Sequence, residues 1–273
     1  METVAQQPIS REEFGRFKGW IHDLAGISLS DHKHALVMGR LSCRLRHHRL
    51  PTYGDYFELL QRREGAGEVQ VALDLLTTNE THFFREARHF EILQERVIAP
   101  HAGAKPLRVW SAACSSGEEP YSIAMTLDAG LGARPWEVVA SDISTRVLER
   151  ARTGHYAMVR AKSIPREHLA AYCLKGTGPQ EGTFLIDEKL RSRVQFMQVN
   201  LNAALPKLGV FDAIFLRNVM IYFNPATKRD VVSRLVRHLR PGGYLFIGHS
   251  ESLNGISDEV KPEVVSVYRN VAK

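Results

Sequence analysis

Behind Ser10, the apolar residues Phe14, Phe17, Ile21 and Leu24 recur at helical spacing, and Glu12 and Glu13 occupy the first turn, so a first helix is expected to begin there. Helical pieces continue to about residue 76, punctuated by Pro51, Gly54, Gly65 and Gly67, and no period-two alternation occurs before residue 105. The pattern predicts an all-helical N-terminal domain over residues 1–76, then a linker with a helix over 77–104. From Leu107 the rhythm changes. Short apolar runs at 107–112, 136–143, 193–199, 211–218 and 244–250 alternate with helical stretches at 118–130, 144–152 and about 226–239.

Strands separated by helices imply right-handed crossovers and a mostly parallel sheet over 105–273, an α/β domain. The run at 240–243, Arg-Pro-Gly-Gly, reads as a turn, and the last run, 264–271, follows without a long helix. It is therefore expected to pair antiparallel at or near a sheet edge. At about 153–193 the alternation is interrupted by a segment too long for a loop. It holds a glycine cluster, Gly176, Gly178 and Gly182 around Pro179, and is expected to form a short helix (165–173) and a small antiparallel β-subdomain.

With 273 residues, 44% of them hydrophobic, the chain buries a core without staples. Its three cysteines, Cys43, Cys114 and Cys173, are far apart and form no Cys-x-x-Cys pair, which excludes a disulfide scaffold or zinc ribbon. No apolar leader and no run approaching the ~18 residues of a membrane span is present, so a cytoplasmic location without membrane insertion is expected. The net charge of +6 is a first flag for nucleic acid. It is unevenly placed: residues 86–149 carry a net −3 and residues 150–193 a net +5.

Ligands of open α/β sheets bind where strands end and helices begin. After the 107–112 run come small residues and then Glu118, Glu119 and Pro120, with no Gly-x-Gly-x-x-Gly fingerprint. Two glutamates at a helix N-terminus repel a pyrophosphate and suit a cofactor bearing positive charge, although they also simply complement the helix dipole. Asp142 closes the next strand, where a nucleoside site needs an acid for ribose hydroxyls; its other reading is an N-cap near Ser144. Asn200, Arg217 and Asn218 close later strands. Together these ends meet the requirement of S-adenosylmethionine better than that of NAD or ATP. For residues 77–90 the local reading is a capping box, Thr77 with Glu80, and core phenylalanines.

Three stretches, Thr77–Arg85 (TTNETHFFR), Ser111–Ser122 (SAACSSGEEPYS) and Arg217–Phe223 (RNVMIYF), closely resemble the chemotaxis receptor methyltransferases, the CheR family. Gly248–Glu251 and the glycine cluster resemble it as well, so the likeness runs over nearly the whole chain in order. The resemblance implies an all-α domain followed by a Rossmann-like class I methyltransferase domain with an inserted β-subdomain, S-adenosylmethionine as cofactor, no metal, and methylation of glutamate side chains on membrane chemoreceptors. Carried over by motif position, the cofactor contacts would be Asn79, Thr81, Arg85, Glu119, Asp142, Asn200, Leu201, Arg217 and Asn218, with Arg85 and Tyr222 nearest the transferred methyl.

Residues 32–54 contain no acid, and Lys33, Arg40, Arg44 and His47 fall on one helical stripe, with Leu36, Leu41 and Leu45 as anchors. The stripe is either a solvated face or a surface for an acidic helical bundle such as the cytoplasmic domain of a methyl-accepting chemoreceptor. The glycine-containing loop resembles the family's longer form that tethers to a receptor C-terminal peptide, which strand addition to an exposed edge would allow. Two other functions fit the same cofactor: methylation of RNA or a small molecule, which predicts a basic groove with aromatics, and a non-enzymatic adaptor that senses S-adenosylmethionine. The net −3 of the cofactor segment argues against nucleic acid.

Overall fold

The computed structural model describes residues 7–103 and 105–271. The described residues fall into two compact units, one of residues 7–78 with Tyr222–Asn224 and one of Asn79–Ile221 with residues 225–271.

The smaller unit is helical. Its first helix, α1 (Arg11–Ala25), opens on a capping box in which the Ser10 hydroxyl accepts from the Glu13 N–H and the Glu13 carboxylate accepts from the Ser10 N–H. Its buried face is Phe14, Phe17, Ile21 and Ala25; Leu24, expected in the stripe, is half-buried because the 3.6-residue turn carries the face on to position 25. A 3-10 turn (Asp31–Lys33) precedes α2 (His34–His48), so Lys33 stands just outside the helix on which the basic stripe was expected. Val37, Leu41 and Leu45 anchor α2, with Val37 taking the place expected for Leu36. Then come α3 (Tyr53–Gln61) and α4 (Ala66–Leu76). The expected capping box at Thr77 does not form. Thr77 closes α4 instead, its N–H donating to Leu73 O at 3.0 Å and its hydroxyl to Asp74 O at 3.1 Å. Residues 222–224 join this unit through the Ser28 N–H bond to Tyr222 O (2.8 Å) and an antiparallel bridge between Ile27 and Phe223.

The larger unit begins with α5 (Arg88–Ile92), which runs into a wider π-helical turn to Ile98. Next come β1 (Leu107–Ser111), α6 (Glu118–Leu131), β2 (Trp136–Asp142) and α7 (Thr145–Thr153). The excursion contains β3 (His155–Ala157), α8 (Arg166–Tyr172), β4 (Cys173–Lys175) and β5 (Thr183–Ile186). The chain returns through α9 (Glu188–Arg191), β6 (Val194–Gln198), β7 (Phe211–Leu216), α10 (Pro225–Val236), β8 (Leu239–Ile247), β9 (Val260–Val264) and β10 (Val267–Asn270).

The main sheet has the order β6-β2-β1-β7-β8-β10-β9, parallel through β8 and antiparallel beyond it. The terminal strand β10 is therefore second from the edge, and β9, not expected from the pattern, is the edge itself. The expected turn at 240–243 survives as a bulge: Leu239 pairs with Phe211 and Tyr244 with Ala213, so the residues between them leave the ladder. The small sheet, order β3-β5-β4, is the expected antiparallel subdomain. Trp110, Tyr121, Phe211, Phe215 and Phe246 are fully buried in this unit, Phe215 stacking on Phe246 at 4.3 Å. The chain runs outward from β1 to β2 and β6, then crosses to β7 on the other side of β1. The crevice of this topology therefore lies at the C-terminal end of β1.

Candidate functional site

The loop leaving β1, Ala112–Gly117, reaches that crevice. Gly117, with φ of 98°, forms the left-handed corner from which α6 starts, a conformation glycine adopts at no steric cost. Asp142, at the C-terminal end of β2, is 7% exposed, and its two carboxylate oxygens accept from the Ser115 N–H (2.9 Å) and the Ser144 N–H (3.0 Å). It is not the N-cap of α7; that position is Ser144, whose hydroxyl accepts from the Val147 N–H. The Val199 N–H donates to Asp142 O, which brings the end of β6, and so Asn200 and the buried Leu201, beside it. The Asn200 side chain itself closes a turn by accepting from the Asn202 N–H at 2.9 Å.

The paired glutamates have different partners. Glu118 is fully buried, accepts from the Ser116 hydroxyl (2.7 Å) and forms an ion pair with Arg160 of the excursion at 2.6 Å. Glu119 accepts from the Ser111 hydroxyl at 2.7 Å and pairs with Arg217 at 2.9 Å. Burial pushes the pKa of both carboxyls up, and the nearby arginines offset this only in part. Arg217 is the hub. Its guanidinium also pairs with Glu86 at 3.0 Å and donates to the Arg85 carbonyl, while its Nε is buried without a partner. Glu86 has the opposite balance to Glu119: burial raises its pKa, but Arg217 and the His249 N–H outweigh burial and leave it lowered.

The segment between α4 and α5 folds onto these ends. Asn79 O accepts from the Ser115 hydroxyl (2.8 Å), and Thr81 O accepts from Arg160 (3.0 Å). The Asn218 N–H donates to Glu251 at 2.9 Å, and its amide lies 3.4 Å from Glu86. Arg85 is half-buried and donates to Glu80 O at 3.2 Å. Three bonded groups thus meet along the loop between β1 and α6: Asn79 with Ser115 and Asp142, Thr81 with Arg160 and Glu118, and Arg85, Glu119 and Asn218 around Arg217 and Glu86, with Asn200 and Leu201 at the β6 side. Tyr222, half-buried at the end of a 3-10 turn, belongs to the helical unit.

Backbone strain marks the same place, a signal that the sequence does not carry. Among the described residues, six non-glycine positions have left-handed φ, and four are here: Phe84 (51°), Glu86 (57°), Ser115 (48°) and Asn218 (57°). Such conformations cost about 1–3 kcal/mol each and persist where the surroundings over-determine them. Glu86, pairing with Arg217, was missed by sequence reasoning because it stands 131 positions from its partner (217 − 86).

The basic stripe divides. Arg40 donates to Leu76 O (2.7 Å), Thr77 O (3.0 Å) and the Thr78 hydroxyl (3.0 Å), capping the last carbonyls of α4. Arg44 grips Glu68 with two bonds of 2.7 Å, and Tyr56 and His48 complete the set. These two arginines hold the helical unit together, while Lys33 and His47 are exposed. In the small sheet, Gly176 is packed so tightly that a Cβ would come within 2.0 Å of Gln180 O, and Gly178 and Gly182 have left-handed φ of 57° and 80°. The β4–β5 hairpin itself demands all three. Strand β4 is an edge of that sheet, with Leu174 53% exposed.

Residues 79–268 match the family model described as CheR methyltransferase, SAM binding domain, and residues 12–77 match the CheR methyltransferase all-alpha domain. The chain is 46% identical to the chemotaxis protein methyltransferase of Escherichia coli over 273 residues, covering 98% of this chain and 94% of that protein. It is 44% identical to the protein of that name from Salmonella typhimurium over 271 residues (98% and 93%), and 44% identical to chemotaxis protein methyltransferase 2 of Pseudomonas aeruginosa over 262 residues (95% and 93%).

Proposed function

The chain belongs to the CheR methyltransferase family, and on that premise we propose that it transfers the methyl group of S-adenosylmethionine to glutamate side chains in the cytoplasmic domains of chemoreceptors, giving methyl esters. The observation that carries this reading is the full-length family match together with the cluster at the strand ends, whose chemistry suits the cofactor. Asp142 offers a fixed carboxylate for a ribose diol, and Glu86 and Glu119 surround a single Arg217, which leaves negative charge for a cationic methionine group.

S-adenosylmethionine supplies an electrophilic methyl on a sulfonium. The receiving glutamate carboxylate is ionised at neutral pH and is itself the nucleophile, so no strong general base is required. The chain's contribution is alignment and exclusion of water, together worth several kcal/mol. Arg85 orients the incoming carboxylate, and the Tyr222 hydroxyl positions one reactant by hydrogen bonding. Binding the carboxylate too tightly would stabilise the ground state and slow transfer, so both residues act by positioning.

Lys33 and His47 supply the exposed part of a docking surface for an acidic receptor bundle. Edge strand β4 offers a place for a receptor C-terminal peptide, which would raise the local concentration of enzyme. The reading includes action in the cytoplasm, with no nucleic acid partner. Among the described residues, no helix is long and apolar enough to cross a membrane. The test is incubation with methyl-labelled S-adenosylmethionine and either receptor-bearing membranes or total RNA. Label in the receptor band supports the proposal; label in RNA alone, or in neither, refutes it.

A further inference from the structure

Beside the cluster, His89 on α5 is fully buried, and neither of its ring nitrogens has a hydrogen-bond partner. Orphaned buried polar groups are rare and call for a ligand or a role. The groups facing this imidazole are Glu86, whose Oε2 lies 3.4 Å from His89 Nδ1, and His249, whose ring meets that of His89 edge-on at 5.0 Å. His249 Nε2 is 3.9 Å from the same Glu86 oxygen, and one ligand atom from each of the three residues lies within 4.8 Å of the others. Four-coordinate zinc holds its ligand atoms about 3.3 Å apart, a separation that follows from bonds of about 2.0–2.1 Å. A modest swing of the His249 side chain, which is 50% exposed, closes the difference.

We propose that Glu86, His89 and His249 form a site for a divalent transition metal of the zinc class, with two imidazoles and one carboxylate as ligands and water in the fourth position. The donor set is the one such ions prefer. The carboxylate is already oriented, because Glu86 Oε1 accepts from the His249 N–H at 3.2 Å. The anionic ligand is Glu86, whose Oε2 the Arg217 guanidinium holds at 3.0 Å. An ion on Glu86 Oε2 takes that oxygen from Arg217 and thereby loosens the hub of the cofactor cluster.

The test titrates Co2+ and Zn2+ into the full-length chain. The proposal expects one high-affinity equivalent, a visible d–d absorption of low-coordinate Co2+ that Zn2+ bleaches, and weaker binding of S-adenosylmethionine when zinc is present. His249→Ala is expected to weaken Co2+ binding at least ~10-fold, the loss that follows removal of even an outer-shell partner. His89→Phe replaces the orphaned imidazole with an apolar ring, and is expected to fold with undiminished stability while losing the Co2+ spectrum. Absence of that spectrum from the unaltered chain overturns the site, and so does metal binding that survives both substitutions. The Co2+ measurement does not depend on turnover, so it can fail or succeed independently of the methyltransferase reading.

Discussion

Arg217 is the residue on which the strand-end cluster turns, because its planar fork reaches Glu119, Glu86 and the Arg85 carbonyl at once. A lysine carries the same charge on a single point and cannot span three acceptors. Arg217→Lys should therefore weaken S-adenosylmethionine binding about tenfold or more, corresponding to one lost hydrogen bond to a charged group at ~1.5–3 kcal/mol, with the far-ultraviolet spectrum unchanged. Titration calorimetry reads this directly, and unaltered affinity would remove Arg217 from the site. The strand-end positions of Asp142 and Arg217 are legible in the sequence, because the apolar runs that precede them mark where each strand stops. Glu86 is not, nor is the strain at Phe84, Ser115 and Asn218. Left-handed backbone at non-glycine positions is imposed by tertiary contacts and leaves no local signature.

At the scale of elements, α2 shows what a helical stripe can and cannot reveal. Spacing correctly placed Arg40 and Arg44 on one face, but it could not disclose that α4 lies against that face, with Glu68 twenty-four positions beyond Arg44. Burial pushes the Glu68 pKa up, yet the bonds from Arg44, Tyr56 and His48 outweigh it and hold the group at about 2, below the ordinary 4.5. A lowered folded pKa means that the stabilisation is complete above about pH 4.5 and is lost as pH falls towards 2. Arg44→Ala leaves this carboxylate buried without its main partner and should cost about 2–4 kcal/mol in urea denaturation at pH 7. The gap between variant and parent should narrow as the pH is lowered through that window. The Thr77 region was misread for a related reason: the capping-box signature is local, and the bond from Thr77 back to Asp74 ends a helix where the motif would have begun one.

Over the whole molecule, the excess of positive charge loses its first meaning. Arg160 is paired with buried Glu118, Arg193 stacks on Trp136 at 3.6 Å while pairing with Asp128, and Arg108 pairs with Glu137. These three arginines are thus held by acids of the same unit, and the exposed Lys33 and His47 lie elsewhere, on the helical unit. Lys33→Glu should raise the KM for receptor severalfold and leave cofactor affinity unchanged, an effect that fades when added salt shortens the screening length below the ~8 Å of physiological solution. Unchanged receptor kinetics would make the exposed face merely solubilising. The parallel sheet, the antiparallel excursion and the cofactor class were readable from alternation and strand-end chemistry; the edge strand β9 was not, since Val260–Val264 is mostly exposed and has no apolar periodicity. The central claim is that the product is a glutamate methyl ester, and the most direct measurement is the fate of the transferred label. Receptor labelled by this chain and then treated with mild base should release the label as volatile methanol. Label that stays bound to the protein through base would mean a different bond had been made, and would contradict the account.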